Sequence, residues 1–376
     1  MRIFFITNTI GDIGGSEIIT RDLLAELVRK GHELLIFTPC KYYLKGAKTV
    51  IVPSLGHHAF HKFESLAFVR KAVKEAKKFK PDIVHSHSNC LNGFIGQTIR
   101  QELKIPHVLS YELISDQNKT LHTKTIHFLE KNFLSKIGFD IVTAWTESMK
   151  QKYLLPWGVP EKKIEIVPAA LDLQKYDLSR SGDELKKQYG NFLLSSIKTL
   201  FKTNVEGLKF LIDAFEIVSK KHSEPVYLIV GKGDAVQELQ EYINSKGLEE
   251  RVKIIDKVLS FDERQDVWAA TMISPHAFLF EFSIGISLME YMAFGNACVV
   301  TDVGNVRNFV EDSALVVKPS VEEMAEGISK LIEDESLRNS LSKKSAQLIK
   351  DKYSVEAVAR KLEGIYAKAA ERFARA

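Results

Sequence analysis

Apolar runs alternate with stretches of helical periodicity along most of this chain of 376 residues. Residues 2–7 read as a buried strand, followed by a loop holding Gly11, Gly14 and Gly15. Ile18, Ile19, Leu23, Leu24 and Leu27 then fall at helical spacing between Ser16 and Lys30. Gly31-His32 ends that helix, and Leu34-Leu35-Ile36-Phe37 resumes as a strand. The pattern returns as a helix near 63–79, a strand Asp82-Ile83-Val84-His85, a helix near 92–103 and a strand His107-Val108-Leu109. A second series opens at Phe192-Leu193-Leu194 and runs through apolar stretches at 226–230, 252–255 and 297–300. Strands alternating with helices imply a parallel sheet covered on both faces, so the fold class is α/β with two Rossmann-like domains. Weak apolar periodicity suits residues 171–190 to a linker between a domain over 1–170 and another over 191–353. Residues 354–376 form a last helix without a strand of its own, expected to pack back on the first domain.

Composition agrees with that division, since 376 residues exceed what one ordinary core holds, and 45% hydrophobic with 27% charged residues is a soluble globular balance. The net charge of +4 is unevenly placed. Residues 1–170 carry 24 Lys and Arg against 16 Asp and Glu, and the remainder 28 against 32, so the first half is the one suited to an anionic surface. Residues 63–80 hold the densest cationic run, from Arg70 to Lys80, and are the candidate for peripheral contact with anionic lipid. A solvated helix face accounts for the same run. Cys40, Cys90 and Cys298 stand apart, which indicates neither a disulfide framework nor a zinc site. With no apolar stretch near 18 residues and no signal-peptide core, a cytoplasmic location is expected, membrane-associated at most. No nucleic-acid partner is expected.

The strongest chemical signal is Ser283-Ile284-Gly285-Ile286-Ser287, which reads as a glycine turn entering a short helix that stops at Gly295. Free N–H groups at such an N-terminus bind anions, and a diphosphate fits there. Glu290 lies inside the helix, where a carboxylate beside phosphates is unfavourable unless it accepts hydrogen bonds from a ribose. A glycine-capped core helix with a solvated Glu290 is the alternative. The following strand, 297–300, runs into the polar loop Thr301-Asp302-Val303-Gly304, and ligands of open α/β sheets bind beyond such carboxyl ends. His85 and His87 end a strand; read as lying on opposite faces, they are given a structural or acceptor-side role and no metal.

The stretch from Phe278 to Val310 resembles the donor-binding signature of the family 4, or group 1, glycosyltransferases. Gly14-Gly15-Ser16-Glu17, Pro81 to His87, Gly158 to Asp172 and Val230-Gly231-Lys232-Gly233-Asp234 match the same family in order. The resemblance implies the GT-B architecture, two Rossmann-like domains facing across a cleft. It also implies a retaining, metal-independent transfer of a sugar from a nucleotide sugar, UDP- or GDP-linked, to a glycan or lipid-linked acceptor, with no cofactor. By the same resemblance Gly14, Gly15, Lys198, Lys202, Gly231, Lys257, Val258, Gly285, Ile286, Ser287 and Glu290 bind the donor. Ser16, Glu17, His85 and Ser110 lie on the acceptor side, and Glu281 and Glu112 are the catalytic candidates.

Several positions depart from the family pattern. The first of its two glutamates falls on Phe282, with Glu281 one residue earlier; its histidine falls on Glu112; and Glu206 stands where a lysine is common. The usual Asn-Gly is Ala169-Ala170, and a downstream glutamate is Asn308. These changes support an alternative, a non-catalytic GT-B protein that binds nucleotide or glycan or serves as scaffold for an active homologue.

Overall fold

A computed structural model describes residues 1–12, 14–52, 62–112, 128, 130–203, 205–279 and 285–375, and for 62–66 the backbone alone. The chain divides into two compact units, Met1–Asp172 with Val355–Ala376, and Leu173–Ser354.

The first unit holds seven parallel strands, β1 (Arg2–Ile6), β2 (Glu33–Thr38), β3 (Lys48–Ile51), β4 (Ile83–Ser88), β5 (His107–Tyr111), β6 (Ile141–Ala144) and β7 (Ile164–Ile166), ordered β3-β2-β1-β4-β5-β6-β7. Alternation along β1 explains why both faces are covered. Ile3 and Phe5 pack with Leu24 and Leu27 of α1 (Gly15–Arg29), whereas Phe4 and Ile6 meet Ala72, Ala76 and Phe79 of α2 (Lys62–Phe79) and Ile95 and Ile99 of α3 (Cys90–Leu103). The C-terminal helix (Val355–Arg375) supplies Val358, Leu362, Ile365 and Tyr366 to the α1 face, as its apolar spacing requires.

The second unit holds six parallel strands, β8 (Leu193–Ile197), β9 (Val226–Gly231), β10 (Val252–Asp256), β11 (Thr271–His276), β12 (Ala297–Thr301) and β13 (Leu315–Val317), ordered β10-β9-β8-β11-β12-β13. Leu194, Ile229, Ile273 and Val299 share one core with Leu208, Leu211 and Phe215 of the helix Val205–Lys221 and with Met324 and Ile328 of the helix Val321–Glu333. Burying each such side chain contributes roughly 1.5–3 kcal/mol.

Residues 173–190 are not a free linker. They contain the helix Asp183–Tyr189, whose Leu185 and Tyr189 pack with Leu193 and Leu228. Arg180 bonds Asp262 and Asp266 at 2.9 and 2.7 Å. Gly182 lies so close to Ala270 that a Cβ there would meet its backbone nitrogen at 2.4 Å. Polar anchoring of this kind leaves no apolar period in the sequence.

Candidate donor and acceptor sites

In the second unit the positions suspected of donor contact follow the carboxyl ends of neighbouring parallel strands. Lys198 follows β8, and its N–H donates to the carbonyl of Val230 at 3.0 Å. Gly231, which ends β9, is required by that closeness, because a Cβ there would stand 1.8 Å from the Lys198 carbonyl oxygen. Gly233 repeats the device against the Leu200 carbonyl at 2.1 Å. Lys257 follows β10, donates its N–H to the Gly231 carbonyl at 3.2 Å, and pairs its ammonium with Glu263. Val258 beside it is 75% exposed, an apolar side chain held out in solvent. Lys202 is also exposed, its N–H tied to Asp234 at 2.9 Å.

A helix does follow Gly285, α4 (Ile286–Ala293), with Gly285 as its N-cap and therefore no cap side chain from that position. Ser287 donates its hydroxyl to the Ile197 carbonyl at 3.2 Å, fastening this N-terminus beside the end of β8 and hence beside Lys198. Glu290, one turn on, is 7% exposed rather than solvated. Its Oε1 accepts from the Tyr176 hydroxyl at 3.2 Å, and burial raises its carboxyl to about 7 against the pull of Arg264 and Tyr176. Glu281, Ser283 and Ile284 lie outside the described residues, as do His57, His58 and His61.

Two residues of this site, His276 and Tyr176, were not suspected from sequence. Burial lowers the Lys198 ammonium to about 8, and no carboxylate pairs with it among the described residues. His276, at the end of β11, is 3% exposed and held neutral, its imidazole lowered to about 3 by burial and by Lys198. A histidine closing the segment Ser274-Pro275-His276, which does not read as a central strand, gives no sequence signal of its place at a strand end. Tyr176, in the stretch read as linker, was hidden for the reason given above.

In the first unit Gly14 takes φ +95° and precedes α1, which starts at Gly15, so Ser16 and Glu17 lie in its first turn. Glu17 folds back over Gly14. His85 is buried, its Nδ1 2.7 Å from the Tyr366 hydroxyl and its Nε2 2.8 Å from Ser110 Oγ, which in turn meets Thr143 Oγ1 at 2.7 Å. Burial holds this imidazole well below its ordinary range, and neighbouring His87 and His107 push the same way. The opposite-face expectation for His85 and His87 is overturned: residues two apart on a strand share a face. Both imidazoles line one cavity of about 20 Å³ with Ser110, Thr143 and Trp145. Glu112 follows β5, and its Oε1 is 3.2 Å from His87 Nε2. No group of three or more metal-ligating side chains is found among the described residues.

With this geometry in place, two family descriptions match the chain in tandem: Glycosyltransferase Family 4 over residues 13–175 and Glycosyl transferases group 1 over residues 193–334. The chain belongs to the family 4 (group 1) glycosyltransferases. An uncharacterized glycosyltransferase of Methanocaldococcus jannaschii is 22% identical over 96% of both chains. Alpha-monoglucosyldiacylglycerol synthase of Streptococcus pneumoniae is 23% identical over 83% of this chain and 74% of its own. Among solved structures, Anabaena Alr3699/HepE in complex with UDP superposes with a TM-score of 0.77 at 19% identity, over 98% of this glycosyltransferase and 100% of that chain. The two parallel sheets with covering helices are therefore the two Rossmann-like domains of the GT-B fold. No helix of this glycosyltransferase, among the described residues, is long and apolar enough to cross a membrane.

Proposed function

We propose that this glycosyltransferase takes its sugar from a UDP- or GDP-linked donor, with retention and without a metal or other cofactor, and passes it to a glycan or lipid-linked acceptor held by the first unit. The observation that carries the reading is Lys198, a desolvated ammonium with no carboxylate partner among the described residues, beside the glycine-capped N-terminus of α4. A partly buried, desolvated cation gains when an anion joins it, and a diphosphate brings charge to both. Glu290, raised by burial, is then the acceptor for ribose hydroxyls one turn away. Positive charge at the leaving diphosphate is the kind of term that lowers a transfer barrier by several kcal/mol.

The UDP bound in Alr3699/HepE and the diacylglycerol in the name of the pneumococcal synthase support a uridine donor and a lipid-linked acceptor as first choices. Peripheral contact with anionic lipid through residues 63–80 belongs to the same proposal. Within that stretch Lys77 is paired with Glu102 and Lys78 with Glu75, which leaves Arg70, Lys71, Lys74 and Lys80 as the other cations from Arg70 onward. Thermal-shift measurements with UDP, GDP and their sugars test donor binding, and release of nucleoside diphosphate with glycan and diacylglycerol acceptors tests transfer. Binding without release under every pairing would replace transfer by the non-catalytic alternative.

A further inference from the structure

The cavity of about 20 Å³ in the first unit lies between α1 and the sheet, and three hydroxyls line it: Thr20 of α1, Ser110 of β5 and Thr143 of β6. A threonine inside a helix commonly turns its hydroxyl back to the carbonyl one turn earlier. Thr20 does not. The residue is 3% exposed, and its Oγ1 is shielded from solvent and meets no donor or acceptor among the described residues. A buried hydroxyl in that condition weighs against the fold unless something in the cavity bonds to it.

The facing wall has hydrogen-bonding places to spare. A chain of contacts runs from the Tyr366 hydroxyl to His85 Nδ1 at 2.7 Å, from His85 Nε2 to Ser110 Oγ at 2.8 Å, and from there to Thr143 Oγ1 at 2.7 Å. Both nitrogens of His85 are thereby used. A hydroxyl offers one proton and two lone pairs. The chain takes two of these three places at Ser110 and one at Thr143, whichever way its protons run, so each hydroxyl keeps a place of its own. Thr143 is 1% exposed, so bulk solvent does not fill that place. A group that joins Thr20 to this wall must both donate and accept, and it must be small. About 10–15 Å³ is the least room that holds a water, so about 20 Å³ admits one. Cavities that stay dry are lined by apolar groups alone, and a water inside a protein finds about three polar partners, the number of hydroxyls present here.

We propose that this cavity is a binding site for one water molecule, held by Thr20 Oγ1, Thr143 Oγ1 and Ser110 Oγ. The water extends the polar chain from Tyr366 of the C-terminal helix, through β4, β5 and β6, to α1. Thr20 is in the second turn of α1, so the bridge fastens the end of that helix that leads on from Gly14. The test uses the full chain with Trp268→Phe, so that Trp145 and Trp157 report urea unfolding of the first unit. Thr20→Val keeps the branched shape and nearly the same helix propensity and removes only the hydroxyl. It should lower the folding equilibrium constant roughly two- to tenfold, the range for one hydrogen bond lost. Thr143→Val should also lower it, and the double variant should lose less than the product of the two, because both changes break one bridge. Crystal structures of the wild type and of Thr20→Ser, which retains a hydroxyl, should show a single peak of water density within hydrogen-bond reach of Oγ at position 20 and of Thr143 Oγ1, and Thr20→Val should lack it. An unchanged or raised folding constant in Thr20→Val marks a hydroxyl that bonds nothing and overturns the site. Losses that multiply in the double variant, or a wild-type cavity without that peak, overturn it equally.

Discussion

Glu290→Gln separates the cost of the buried carboxyl from its use. Burial raises this group from its ordinary 4.5 to about 7, which corresponds to about 3 kcal/mol at roughly 1.36 kcal/mol per tenfold change. A raised acid favours its protonated form in the fold, so its contribution to stability is fully present below pH 4.5 and is lost as pH rises through 7. Glutamine has no such term. Unliganded Glu290→Gln should therefore gain on wild type by about 2–3 kcal/mol between pH 5 and pH 8, or about 5–10 °C in Tm for a unit of this size. Trp268, which meets Tyr176 and Phe294 beside the site, reports the second unit if Trp145 and Trp157 are replaced by Phe. Melting of both proteins followed by Trp268 fluorescence at pH 5 and 8, with and without UDP, gives the eight melting temperatures needed. UDP should raise the Tm of wild type more at pH 8 than at pH 5 and raise that of the variant little at either. A variant-minus-wild-type difference that is the same at both pH values would refute the buried-carboxyl reasoning, whatever UDP does.

Lys198→Met should weaken UDP by roughly 10- to 100-fold, the range for one charge-assisted hydrogen bond lost, and leave uridine unchanged; titration calorimetry with both ligands checks it. Because burial lowers Lys198 to about 8, its folded-state preference is for the neutral form, so UDP affinity in wild type should fall above pH 8, and that fall should vanish in Lys198→Met. Gly231→Ala places a methyl 1.8 Å from the Lys198 carbonyl oxygen, and the shift this forces should cost about 1–3 kcal/mol by urea titration, with UDP binding lost alongside. Tyr366→Phe removes the partner of His85 Nδ1 in a buried place and should destabilise the first unit by about 1–3 kcal/mol, read from Trp145 and Trp157 fluorescence. Co-sedimentation with vesicles of anionic lipid should drop when Lys71 and Lys74 are changed to Glu; unchanged sedimentation removes this helix from the membrane proposal.

The periodic features of the fold were legible because burial on both sheet faces imposes long apolar runs, as in β1, β2 and β9. What escaped was short or polar. β7 has three residues, and β11 carries Ser274, Pro275 and His276 in its last half, a composition that does not read as a central strand. The glycines were legible as motifs, but the reason for Gly231 was not, since the Lys198 carbonyl that forbids a side chain there lies 33 positions upstream. Glu290 was found from its place in the helix, yet its partner Tyr176 was not, because Tyr176 falls in the stretch read as a linker. His87 was misread through the face it occupies, and its closeness to Glu112 depends on the register of β4 against β5, where His87 faces Ser110 and Ser88 faces Tyr111.

One consequence concerns the unliganded state. Glu290 is pushed up toward neutrality and Lys198 down toward neutrality, both chiefly by burial, and neither is salt-bridged to the other. A site built only for stability would pair such groups or replace them with apolar ones, because an uncompensated buried charge costs several kcal/mol. On the function proposed above, two separate groups, each leaning against its ordinary charge, would be balanced by a ligand with an anion at one end and hydroxyl donors one helical turn away. On the same proposal a free phosphate would satisfy only Lys198, and a nucleoside only Glu290. Uridine and inorganic phosphate should therefore each bind far more weakly than UDP, and the two added together should not reproduce its stabilisation, because only the joined ligand discharges both costs with one loss of translational freedom.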